Sequence, residues 1–122
     1  MNINDIHDKY LLHINMDFNK LRNNGFKIYG DHAYFHKFVY KDIDRLTIDI
    51  DLSDNTYSLT VTDVDHDEIY FPIYNWDCGK NYELEEVIEN VINTLDSLCI
   101  QKIFWNTDNK KKRKRRNVQH TK

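Results

Sequence analysis

The stretch Leu46-Thr47-Ile48-Asp49-Ile50-Asp51-Leu52-Ser53-Asp54-Asn55-Thr56-Tyr57-Ser58-Leu59-Thr60-Val61-Thr62 decides the fold, because strand period, turn chemistry and pairing agree within it. Apolar and polar residues alternate on both sides of Asp54-Asn55, a dipeptide that tolerates positive φ and so predicts a two-residue hairpin turn. With that turn Leu52 faces Tyr57, Ile50 faces Leu59 and Ile48 faces Val61. Asp51, Asp49 and Thr47 then face Ser58, Thr60 and Thr62, so one face is apolar and the other is polar with two carboxylates. A one-residue slip would put those carboxylates in the core, which specifies the register.

Upstream, residues 26–29 read as a short strand that Gly30-Asp31 turns into an aromatic run over 33–40. There Tyr34, His36, Phe38 and Tyr40 share one face and Phe35 and Val39 the other, so this strand is central or lies under a second covering layer. Downstream, residues 69–74 read as a last strand at an edge, since Pro72 lacks a ladder donor. Ile3, Ile6, Tyr10, Ile14, Phe18 and Leu21 recur at helical spacing, predicting one helix over 3–22, capped by Asn2 with Asp5 and stopped by Asn23-Asn24-Gly25. Its outer face, with His7, Asp8, His13, Asp17 and Lys20, reads as solvated. Leu84, Val87, Ile88, Val91, Leu95, Leu98 and Cys99 make the stripe of a second helix over 81–101, capped by Asn81; Ile103, Phe104 and Trp105 continue it or fold back on the core. The expected architecture is α+β: an antiparallel meander of four to five strands with an N-terminal and a C-terminal helix on one face, in α-β5-α order.

Length and charge organise the 122 residues into a single acidic domain over 1–107 and a basic tail over 108–122 that is expected to be disordered. The net charge of −3 hides this division. Eight Lys or Arg and no acid fall in 109–122, leaving nine basic residues against all 20 acidic ones in residues 1–108, about −11. No apolar run has the roughly 18 residues of a membrane span, and the N-terminus lacks the features of a signal peptide. A soluble, cytoplasmic protein is expected. Cys78 and Cys99 lack metal-type spacing and read as free thiols.

Between Asp42 and Glu68 stand nine acids against one base, Arg45. Aspartate is a poor strand former, so Asp49 and Asp51 inside a strand break a local preference, as functional residues do. Their carboxylates sit about 7 Å apart along the strand. The competing reading is a solvated face whose charges resist edge-to-edge aggregation. Asp63, Asp65 and Asp67 alternate like the start of an EF-hand loop. Glu68 takes the glycine position and Tyr74 the twelfth, so that motif is excluded and a polar turn is expected. His32 and His36 are about 13 Å apart on one strand face, too far for one metal ion. There is no phosphate-binding glycine loop and no nucleophile motif, and no cofactor is expected.

Three functional expectations follow. In the first, a small non-enzymatic protein uses Asp42, Asp44, Asp49, Asp51, Asp63, Asp65, Asp67 and Glu68 to engage a basic, nucleic-acid-binding protein, with no role at a membrane. In size, charge and layout the chain resembles the anti-defence inhibitors and accessory proteins of phages and mobile elements, acting in the cytoplasm of a bacterial host cell. In the second, Lys110, Lys111, Lys112, Arg113, Lys114, Arg115 and Arg116 grip DNA or RNA phosphates. A third class, a metal-assisted hydrolase using Asp49, Asp51 and neighbouring acids of the cluster, requires Mg²⁺-dependent turnover and a pocket near that face.

Overall fold

A computed structural model describes residues 1–13, 17–75 and 81–108. At its centre two eight-residue strands, β4 (Asp44–Asp51) and β5 (Thr56–Asp63), form the antiparallel hairpin that the alternating pattern predicts. The register differs from the expected one by two residues: Ile50 faces Tyr57, Ile48 faces Leu59 and Leu46 faces Val61. The reason is the turn. The Asp51 carboxylate accepts from the Ser53 and Asp54 backbone N–H groups at 3.0 and 3.2 Å and from the Ser53 hydroxyl at 2.7 Å. That Asx-type arrangement makes residues 52–55 a four-residue loop, with only Asn55 at positive φ, instead of a two-residue turn that needs it twice. An even shift preserves the faces, so Leu46, Ile48 and Ile50 remain fully buried.

Around this hairpin lie β2 (Lys27–Tyr29), β3 (His32–Tyr40) and β6 (Glu68–Ile69), giving a five-stranded antiparallel sheet in the order β2-β3-β4-β5-β6. β3 is an interior strand, as its two apolar faces imply, yet Tyr29 and Phe38 on the face away from the core are 63% and 46% exposed. Val39 keeps the inward parity of Ala33 and Phe35 and is buried, while a bulge between Phe38 and Tyr40 breaks the alternation, so Tyr40, opposite Asp44, leaves the face of Phe38. The predicted strand over 69–74 stops at Ile69. Pro72 sits in the first turn of a 3-10 helix, Phe71–Ile73, where its missing N–H and fixed φ are tolerated.

The predicted helix over 3–22 is broken into α1 (Ile3–Asp8), β1 (Tyr10–Leu12) and α2 (Phe18–Asn23). Asn2 and Asp5 form the expected capping box. Asp17 is exposed, as expected, and also caps α2 by accepting from Lys20 N–H at 2.6 Å. Gly25 ends α2 at φ 92, with Phe26 N–H bonding Leu21 C=O and Gly25 N–H bonding Arg22 C=O in a Schellman arrangement. β1 forms because it has a partner: after α3 (Tyr82–Ile100), Lys102 at φ 60 turns the chain and β7 (Phe104–Asn106) pairs antiparallel with β1. Residues 103–105 thus take the second of their two expected courses and fold back. Tyr10 locks this small sheet to α3 by donating its hydroxyl to Asp96 at 2.6 Å.

Buried residues from α1, α2 and α3, namely Ile3, Ile6, Leu21, Val87, Val91, Leu95 and Leu98, join the inward residues of the sheet in a core. Residues on the opposite, outer face of the sheet include Tyr29, His32, Tyr34, His36, Asp49, Asp51, Ser58 and Thr60, every one exposed or half-buried.

Candidate functional site

Strand parity places Asp49 and Asp51 on the outer face, as the sequence predicts. Asp49 stands opposite Tyr34 of β3 and Ser58 of β5; Asp51 stands opposite His32 and Thr56. His32 Nδ1–H reaches diagonally to donate to Asp49 Oδ1 at 2.8 Å, and its ring stacks on Tyr34 with centroids 5.7 Å apart and planes 13° from parallel. Tyr29 tilts against Tyr34 at 6.1 Å. Two phenols, an imidazole and two carboxylates therefore meet at one end of the open face. Asp31 joins them from the β2–β3 turn, its carbonyl held by the Leu52 N–H at 2.7 Å.

The electrostatics of this corner follow from its hydrogen bonds. The bond to Asp49 raises the His32 pKa above its ordinary value, with Asp51 and Asp31 adding to the effect. The Ser53 hydroxyl, helped by the Asp54 and Ser53 backbone N–H groups, holds Asp51 below the usual carboxylate range. Asp51 thus builds the turn as well as charging the face. His36, further along β3, bonds Thr47 Oγ1 at 2.9 Å; partial burial and then the cations Arg45 and Lys27 lower its pKa.

Asp44 corrects the predicted site. It was expected on the acidic surface, yet it is 0% exposed and shares the inward parity of Leu46, Ile48 and Ile50, a signal already present in the alternation. Neither of its oxygens has a donor among the described residues. Glu83, in the first turn of α3, brings a second carboxyl near it, which disfavours charge on Asp44. Burial first, then Glu83, Asp63 and Asp65, push Asp44 up to about 7.

The remaining predicted acids gather at this same end of the sheet, away from Asp49 and Asp51. Asp63, opposite Asp44, accepts from His66 Nδ1 at 2.9 Å and from the Asp65 and His66 N–H groups at 3.1 and 3.2 Å. These contacts hold Asp63 below its ordinary range and raise His66. Asp42, Asp65, Asp67 and Glu68 are exposed around it. The run 63–68 is the polar turn expected of it, with Asp67 at φ 53, and among the described residues no three His, Cys, Asp or Glu are grouped to hold a metal ion. The eight acids therefore divide into an outer-face pair, a turn cluster and one core residue.

His7, on the helix face that the sequence marks as solvated, stacks on Tyr57 at 4.3 Å and donates from Nε2 to the Tyr57 carbonyl at 2.9 Å. Tyr57 returns its hydroxyl to the carbonyls of His7 and Tyr10 at 2.8 and 2.7 Å. Open clefts of about 240 and 270 Å³ lie on either side of this pair. Nothing in the local sequence signals a contact spanning fifty residues. Cys99 is a free thiol that burial and the neighbouring Asp96 push up to about 11. Cys78 and the basic block formed by Lys110, Lys111, Lys112, Arg113, Lys114, Arg115 and Arg116 lie outside the described residues.

No helix among the described residues is long and apolar enough to cross a membrane. No protein-family model matches the chain and no curated protein is similar to it in sequence. Its fold is similar to the crystal structure of a DUF1831 family protein from Lactobacillus plantarum, with a TM-score of 0.61 over 79% of this chain and 84% of that one, at 13% sequence identity. At that identity the likeness concerns the fold alone.

Proposed function

We propose that this domain is a non-enzymatic binding module that engages a basic protein through the acidic and aromatic corner of its open sheet face. The observation that carries the reading is the meeting of Asp49 and Asp51 with Tyr29, His32 and Tyr34 on a face where none of the described residues is buried. Carboxylates beside accessible phenol rings suit guanidinium and ammonium groups twice over, by charge-assisted hydrogen bonds and by cation–π contact. A surface shaped to take phosphates presents those groups in rows, which makes a nucleic-acid-binding protein the partner class to test. An anti-defence or accessory role for a phage or mobile element, in the cytoplasm of a bacterial cell, belongs to this proposal.

The test is binding of the full chain to a panel of basic nucleases and DNA-binding proteins by calorimetry. Asp49→Asn combined with Asp51→Asn is expected to weaken the interaction at least tenfold with the fold intact, and DNA is expected to compete. Equal binding by the double variant overturns the reading. The +8 charge of residues 109–122 favours a second reading, direct DNA or RNA binding. It requires a salt-sensitive gel shift that is lost when those residues are removed.

A further inference from the structure

β5 is eight residues long, but β6 pairs only with its last two, Thr62 and Asp63. The side of β5 turned away from β4 is therefore a lane filled at one end. Tyr70 N–H donates to the Val61 carbonyl at 2.8 Å, Val61 N–H donates to the Tyr74 hydroxyl at 3.3 Å, and His7 Nε2–H donates to the Tyr57 carbonyl at 2.9 Å. These bonds show that Tyr57 and Val61 turn their peptide groups into the lane, and strand alternation turns those of Leu59 the same way. Among the described residues, the Leu59 N–H and C=O and the Tyr57 N–H have no partner there. Beside them opens the cleft of about 240 Å³ lined by Ile3, Asn4, His7, Tyr57, Ser58 and Leu59.

We infer that this gap is a strand-addition site, taking one extended segment of a partner polypeptide whose backbone bonds Tyr57 and Leu59 in line with β6. The gap from Tyr57 to Val61 spans about 13 Å, room for three or four residues of a strand. His7 of α1 closes one end, and Tyr70 and Tyr74 close the other. An isolated strand enters such a slot, whereas the edge of a second copy's sheet, flanked by its own α1, is held off. The inserted side chains alternate between the cleft at Ile3 and Asn4 and the hydroxyl row Thr56, Ser58 and Thr60. Backbone bonds then supply affinity and the cleft supplies selectivity. The opposite free edge is defended: past β2, Asn90 Nδ2–H bonds the Val39 carbonyl at 2.8 Å and the bulge breaks the ladder. Neither Asp49 nor Asp51 takes part, so this site goes beyond the acidic corner and stands or falls apart from it.

The test is selection of a phage-displayed library of seven-residue peptides on the full chain, followed by amide hydrogen exchange with the enriched peptides. Enriched peptides are expected to slow exchange of the Leu59 and Tyr57 amides at least tenfold. Asn4→Trp, an exposed α1 position lining the cleft, is expected to weaken binding at least tenfold, while Asp49→Asn, outside the gap, leaves it within twofold. Failure to enrich any peptide overturns the site, as does enrichment of peptides that leave Leu59 unprotected. Protection of Leu59 that rises with protein concentration alone identifies edge pairing between copies and overturns the single-strand occupant.

Discussion

Asp44 and Asp49 lie five residues apart on one strand and lead opposite lives. The odd spacing sends Asp44 into the core against Glu83, without a hydrogen-bond donor, and sends Asp49 outward to His32. What separates them is parity, since the residue type is the same. A carboxylate is expensive where it replaces Leu or Ile in the inward set and nearly free where it replaces Thr in the outward one.

The contrast between the two faces is broken most severely from inside. Ile48→Ala removes a fully buried side chain at the centre of the sheet and is expected to destabilise by about 2–5 kcal/mol, read by denaturant unfolding. Asp49→Ala, next to it on the outer face, is expected to leave the unfolding midpoint nearly unchanged.

Asp44 sharpens the comparison through pH. Its folded pKa stands above its unfolded value, so the folded state binds more protons between about pH 4 and pH 7. Stability is therefore expected to fall as pH rises through that window and to level off above it. Asp44→Asn removes the charge and keeps the shape. It is expected to stabilise the protein at pH 8 by on the order of 2–4 kcal/mol and to flatten the pH dependence. A variant less stable than the parent at pH 8 contradicts the buried-carboxyl account.

Smaller effects test the local devices. Asp17→Ala is expected to cost about 1 kcal/mol by uncapping α2, measured by chemical denaturation. Asp49→Asn is expected to lower the His32 pKa toward its ordinary value, seen by NMR titration of the imidazole, while the corresponding His66 titration stays in place.

The hairpin's faces were legible because an alternating pattern survives any even shift; its register was not, because Asp51 remakes the turn with its own side chain. The inward placement of Asp44 was also legible, from the same parity that buries Leu46. The break after Asp8 was not. Ile3, Ile6 and Tyr10 satisfy helical spacing equally well, and the strand that Tyr10 begins exists only because Phe104–Asn106 returns to pair with it. Likewise parity put His32 and His36 on one face of the aromatic strand, but that this strand pairs with β4, and which carboxylate His32 takes across the diagonal, appear only in the fold.

The outer corner is the claim on which the functional reading rests, and NMR titration of the full chain with an arginine-rich peptide tests it most directly. Saturable shifts centred on Tyr29, His32, Tyr34 and Asp49, weakened at least tenfold by Asp49→Asn with Asp51→Asn, are expected. Shifts spread equally over the turn at residues 63–68, unchanged in the double variant, would show only a diffuse response to negative charge and contradict a site at this corner.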